Sequence, residues 1–311
     1  MIVRPDTDTV RRFAVEHQAV RGQFVRLGDA WLGLREHGDY PEPVRRLLGE
    51  ATCAAVLLAS TLKFEGLLTL QMQGNGAVRL LVAQCTDDFR VRAVARFDAA
   101  RVQDDFRALA GEGQVTVTIE APRLASRYQG IVAIDGDSLS VSLEHYFATS
   151  EQLPTTVRLA TDDLGASGLL VQRIPVMGGL GAAADDPEAE QARVLEAQQT
   201  WEAAREAVAG VEPDELLLRP AQELMQRALA GHDLRLFDAR AVRFQCRCSL
   251  ERVSGMLRSL GEVETRDILA EQGLVTVTCE FCHRPYRFDA VDVERLFGPA
   301  AAQPTVPDSL N

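Results

Sequence analysis

Four of the six cysteines in this chain stand in two close pairs, Cys246-Arg247-Cys248 and Cys279-Glu280-Phe281-Cys282, with 30 residues between them. Once the intervening chain folds back, two such pairs bring four soft sulfur ligands to one point. Zinc accepts four thiolates at about 2.3 Å in a tetrahedral set with no further donor. The connecting sequence suits that return. Leu250 to Leu260 has helical periodicity closed by Gly261, Asp267 to Glu271 reads as a second helix ending near Gly273, and Leu274 to Cys279 alternates as a strand. The second pair is then expected on a knuckle between that strand and another from Arg284 to Phe288.

The spacing leaves two readings open. One is a purely structural zinc module. The other starts from the donor set: four thiolates without histidine make a site that is tight and also oxidisable, and oxidation to disulfides removes the ligands. Structural zinc supplies about 10–16 kcal/mol of folding free energy, comparable to the ~5–15 kcal/mol stability of a whole domain. A module this small is expected to unfold on losing its metal. His283, directly after the last cysteine, is expected to face solvent beside a complete four-thiolate site. Cys53 lies in an apolar helical run and Cys85 ends an apolar strand, so both read as core residues.

Composition closes off several functions. The chain carries 45 acidic against 33 basic residues, a formal charge of −12, which opposes a large phosphate-neutralising surface. The single lysine, Lys63, follows Leu58-Ala59-Ser60-Thr61-Leu62, so no glycine-rich loop leads into it and no P-loop forms. His17, His37, His145 and His232 stand far apart with no nucleophile motif nearby, which leaves a hydrolase without support, as does a four-cysteine site with no open metal position. The start of the chain lacks the basic-then-apolar pattern of a signal peptide and no apolar run reaches about 18 residues, so a cytoplasmic chain with no membrane partner is expected.

The chain's 311 residues allow for about two domains. Val44, Leu47, Leu48, Ala51, Ala55, Leu58, Ala59 and Leu62 recur at three- and four-residue steps after Pro43, the pattern of a buried helix. Extended runs follow at Leu67 to Met72, Val78 to Cys85, Val91 to Phe97, Val115 to Glu120, Tyr128 to Ile134, Val157 to Ala160 and Leu169 to Ile174, with a helix near Leu139 to Ala148. Gly74-Asn75-Gly76 reads as a hairpin turn using positive φ. Strands broken by a few helices give an α+β domain on a mainly antiparallel sheet. The texture changes at Met177-Gly178-Gly179, and Ala182 to Asp186 before Pro187 reads as a boundary. Gln191 to Ala209 is an acidic helix whose apolar stripe is Val194, Trp201 and Val208; a second helical stretch follows Pro213 and Pro220. A stripe that narrow predicts the least stable part of the fold.

Several motifs, as they stand here, resemble the family of the 33-kilodalton heat-shock protein, the bacterial redox-regulated holdase chaperones. They are Val20-Arg21-Gly22 leading to Val25-Arg26-Leu27, Leu62-Lys63-Phe64, Thr69 to Gly76, Tyr128-Gln129-Gly130-Ile131-Val132, Ser150-Glu151-Gln152-Leu153-Pro154-Thr155 and Val277-Thr278-Cys279-Glu280-Phe281-Cys282. The C-x-C and C-x2-C spacing is the family's signature, and the likeness runs over nearly the whole chain. The resemblance implies an α+β chaperone domain over 1–180, a helical linker over 181–233 and a zinc-binding redox-switch domain over 234–311. It implies no enzymatic activity and one zinc ion per reduced chain, held by Cys246, Cys248, Cys279 and Cys282. It further implies that oxidants join Cys246 with Cys248 and Cys279 with Cys282, release zinc and unfold the module and linker, so that unfolding client proteins are bound without ATP. Members of the family form homodimers. An alternative from another class is a zinc-ribbon regulator that binds nucleic acid through Arg243, Arg247, Arg252, Arg258, Arg284 and Arg287, which the net charge opposes.

Overall fold

The computed structural model describes residues 4–15, 19–121, 128–175, 187–230 and 232–298. His17 and the boundary features at 177–179 and 182–186 lie outside the described residues. Internal contacts divide the chain into two units, Met1–Gln245 and Cys246–Asn311.

In the first unit, β1 (Thr9–Val15) and β2 (Val20–Leu27) lead into α1 (Asp29–Arg35) and α2 (Glu42–Thr61). Then come β3 (Leu67–Gly74), β4 (Val78–Thr86), β5 (Arg90–Phe97), α3 (Phe106–Ala110), β6 (Gly113–Glu120), β7 (Tyr128–Ala133) and α4 (Leu139–Tyr146). The unit continues with β8 (Thr155–Thr161), β9 (Ala166–Arg173), α5 (Pro187–Ala209), α6 (Pro213–Leu218), α7 (Ala221–Ala228), β10 (Leu234–Leu236), β11 (Arg240–Ala241) and β12 (Arg243–Phe244). One sheet has the order β10-β1-β2-β9-β8 with β11 also on β1, all antiparallel. The other runs β12-β5-β4-β3-β6-β7, antiparallel except where β12 lies beside β5. The fold is α+β, as the strand-rich sequence implies.

Helix α2 packs on strands of both sheets, and every residue from Ala51 to Ser60 is buried. A helix covered on all sides needs small residues where sheets approach, and Ala51, Ala54, Ala55 and Ala59 supply them. Opposite it, a Cβ at Gly168 would stand 2.8 Å from Leu57 Cδ1, so the glycine sets how closely β9 approaches. The first sheet is apolar on both faces. Val25, Leu27 and Leu170 join the α2 core, whereas Phe13, Val20, Phe24, Leu169 and Val171 pack against Trp201, Val208, Leu216, Leu224 and Met225 of α5–α7.

Three sequence expectations change here. Gly74, Asn75 and Gly76 adopt no positive φ. The glycines are required by close approach, because a Cβ on Gly74 would stand 2.0 Å from the Ala110 carbonyl oxygen and one on Gly76 2.3 Å from that of Leu109. The stripe of α5 is Ala197, Thr200, Trp201, Ala204 and Val208, while Val194 is 41% exposed, within a stretch, 191–196, that is exposed throughout. With α6 and α7 added, this face is broad rather than thin. The boundary expected at residue 234 falls after Gln245, because residues 234–244 supply β10, β11 and β12 to the two sheets of the first unit. Strands of two and three residues are too short to show an alternation, although Leu234, Leu236 and Phe244 on them pack against the cores of the first unit.

The second unit holds α8 (Leu250–Leu260), α9 (Glu262–Gln272), β13 (Val275–Thr278), β14 (Pro285–Phe288) and α10 (Ala290–Phe297). Gly261 at φ 108° and Gly273 at φ 71° end α8 and α9 in conformations that favour glycine. Val253, Leu257, Val275, Tyr286, Phe288, Val293 and Leu296 are its buried core.

Candidate metal centre

Cys246 and Cys248 precede α8. Ser249 caps that helix, its hydroxyl accepting the Arg252 N–H at 3.2 Å, and Arg252 Nη1 donates to the Arg247 carbonyl at 2.9 Å. The residue between the two cysteines is thereby tied to the first helical turn. Cys279 and Cys282 lie in the turn of the β13–β14 hairpin, whose register pairs Val275 with Phe288 and Thr278 with Pro285. The Cys279 N–H donates to Arg284 O at 3.0 Å, the His283 N–H donates to Cys279 O at 2.8 Å, and His283 takes φ 49° to close the turn.

These supports bring all four sulfurs within 4.8 Å of one another. Cys246 Sγ stands 3.6 Å from Cys279 Sγ and Cys248 Sγ 3.4 Å from Cys282 Sγ, and all four thiols are free. A tetrahedron with metal–sulfur bonds of about 2.3 Å has edges of about 3.8 Å, so the four residues fit a metal ion of that kind. Among the described residues this is the one cluster of three or more ligand side chains close enough to hold a metal.

The thiols share protons unequally. Burial pushes the Cys246 thiol up, but the Cys248 backbone N–H and the thiols of Cys282, Cys248 and Cys279 donate to its sulfur and bring it down to about 7. Burial and hydrogen bonds to the neighbouring sulfurs raise Cys279 and Cys282. One sulfur is thus already stabilised as a thiolate by its neighbours, the form a metal requires. Tyr286 adds a further contact. Its buried hydroxyl has no hydrogen-bond partner among the described residues, and the neighbouring Cys248 sulfur, together with burial, pushes the phenol up to about 12. Sequence reading missed it, because an aromatic residue on an alternating strand reads only as core.

The other expected roles fall out simply. His283 is exposed and outside the cluster. Cys53 and Cys85 are fully buried, and burial pushes both thiols up. His37 lies 5.1 Å from the Phe244 ring and His145 3.7 Å from an Asp135 carboxylate oxygen, neither beside a nucleophile. Of the arginines weighed for nucleic acid, Arg252 and Arg258 donate to backbone carbonyls, Arg284 lies over the Tyr286 ring, and Arg243 belongs to β12.

The Hsp33 protein family model matches residues 8–289. The chain belongs to the Hsp33 family. Its relatives named 33 kDa chaperonin include that of Methylobacillus flagellatus, 37% identical over 299 residues spanning 96% of this chain and 97% of that protein. The one from Azotobacter vinelandii is 40% identical over 295 residues, 94% and 95% of the two chains. The crystal structure of the 33 kDa chaperonin of Thermotoga maritima superposes with a TM-score of 0.77 at 22% identity, covering 93% of this chain and 97% of that one, a likeness of fold. Membership in the Hsp33 family supports a chaperone function. Among the described residues no helix is long and apolar enough to cross a membrane.

Proposed function

We propose that this chain is a redox-regulated, ATP-independent holdase that binds unfolding proteins under oxidative stress. The observation that carries the reading is the convergence of Cys246, Cys248, Cys279 and Cys282 within 4.8 Å in a chain of the Hsp33 family. These four residues would hold one zinc ion. When bound, zinc would fix the four sulfurs as thiolates and cross-link the C-x-C segment to the hairpin.

Oxidation pairs Cys246 with Cys248 and Cys279 with Cys282, the pairing the family resemblance implies and the one that closes the smallest loops. Each disulfide forms with loss of two electrons from two sulfurs, and one peroxide is reduced to two waters per disulfide when the thiol protons are counted. A disulfide sulfur no longer offers thiolate charge to a metal. A core of seven buried residues is then left to hold the second unit alone. Loss of that order passes to α5–α7, whose release uncovers Phe13, Val20, Phe24, Leu169 and Val171. An apolar face of that kind suits unfolding clients and requires no nucleotide. The family resemblance further supports a homodimer working in the cytoplasm, without enzymatic activity and without a nucleic-acid or membrane partner.

Light scattering from a thermally unfolding client tests the reading. Peroxide-treated protein should suppress aggregation and the reduced, metal-loaded protein should not. Equal suppression by both forms would refute redox control.

A further inference from the structure

Three charged side chains of the first unit end on the termini of α5, α6 and α7. Arg158 of β8 donates to the carbonyls of Val208 and Ala209 at the end of α5. Arg26 of β2, with no exposed surface, donates through Nη2 to Leu216 O and Arg219 O, each at 2.7 Å, at the end of α6. Its Nη1 reaches Pro5 O at 2.8 Å and its Nε reaches Ser167 Oγ at 3.2 Å. Asp6 accepts the N–H of Ala221, first residue of α7, at 3.1 Å. Helix ends leave backbone groups unpaired, and the dipole draws cations to the carboxyl end and anions to the amino end. All three contacts have the favourable sign.

An apolar face alone would hold these helices without direction, free to slide over Phe13, Phe24 and Leu169. A buried guanidinium behaves differently. Its hydrogen bonds are directional, and a helix that shifts leaves a charge buried without partners, which costs more than the bonds contribute when made. Burial lowers the Arg26 pKa to about 10, with Asp6 pulling it up and Arg4 pushing it down, so the group remains charged at neutral pH.

We infer that Arg26 is a positioning residue that, with Arg158 and Asp6, latches the α5–α7 segment to the sheet in a single register and makes its docking all-or-none. The consequence for activity rests on the function proposed above, in which undocking of this segment exposes the client surface.

The test uses the full reduced, metal-loaded chain carrying Arg26→Met, with hydrogen exchange and client aggregation measured on the same sample. Amides of α6 and α7 should exchange about tenfold faster, the factor corresponding to loss of one charged hydrogen bond, while metal content and β13–β14 protection stay unchanged. Aggregation should be suppressed without oxidant. Unchanged exchange in α6 and α7 would overturn the latch, as would an equal acceleration in β2 and β9, which marks general loss of structure. Faster α6–α7 exchange with no suppression supports the latch and refutes undocking as the route to activity. Arg26→Lys should fall between, since one ammonium cannot span the same four acceptors. Should Arg26→Met not fold, Arg158→Ala removes only the α5 contact, and unchanged exchange at Val208 to Val211 would overturn the inference.

Discussion

The cysteines of the two units differ in everything except their atoms. Cys53 sits inside α2 and Cys85 on β4, both with no exposed surface, and burial pushes their thiols up, away from the reactive thiolate. Cys246, Cys248, Cys279 and Cys282 are half-buried, gathered around one point and hydrogen-bonded among themselves. The surroundings differ in the same sense. Around Cys53 lies a core shared by α2 and both sheets, whereas among its described residues the second unit has seven buried apolar residues and a hairpin. In the first unit apolar area holds the fold and silences the thiols. In the second the apolar core is small, and on the function proposed above the four thiols, gathered around a metal, supply the rest of its stability.

The largest contrast should come from removing metal. Chelation of the reduced protein should abolish amide protection in β13–β14 and leave that of α2 and both sheets intact, because about 10–16 kcal/mol of metal binding is lost from the second unit alone. Retained protection in the hairpin would show that its small core suffices.

Thiol labelling sharpens the comparison. After chelation four cysteines should react, their rate rising about tenfold per pH unit below about 8.5 as the thiolate fraction grows. Cys53 and Cys85, raised by burial, should stay unlabelled until denaturant is added. Native labelling of either would place it in the wrong class.

A smaller effect separates the two cores. Leu68→Ala in the first unit and Leu257→Ala in the second each remove a buried side chain, at a cost of about 2–5 kcal/mol. In the first unit the loss should appear as a lower Tm. In the second the metal-bound form should stay folded and the loss should appear as weaker metal binding, about 30-fold for each ~2 kcal/mol. Unchanged metal affinity in Leu257→Ala would uncouple core from site.

Where hydrophobic period and ligand spacing determine structure, the sequence was readable. Helix α2, strands β3–β7, the caps at Gly261 and Gly273 and the four-cysteine cluster all stand close to where periodicity and spacing put them. Strand β2 was hidden because it is buried on both faces and carries Gln23 and Arg26, so no alternation shows. Strands β10–β12 were hidden because two or three residues are too few to show an alternation. Arg26 and Tyr286 gave no signal of their roles, since an arginine on a strand reads as surface and a tyrosine as core. Arg26 is held by three carbonyls and a hydroxyl distant in sequence, and Tyr286 stands beside the sulfur of Cys248.

The most direct test of the central claim is hydrogen exchange with disulfide mapping on peroxide-treated protein. The account predicts Cys246–Cys248 and Cys279–Cys282 bridges, a second unit exchanging like an unfolded chain, and both sheets still protected. A dominant Cys246–Cys279 or Cys248–Cys282 bridge in a hairpin that keeps its protection would contradict it.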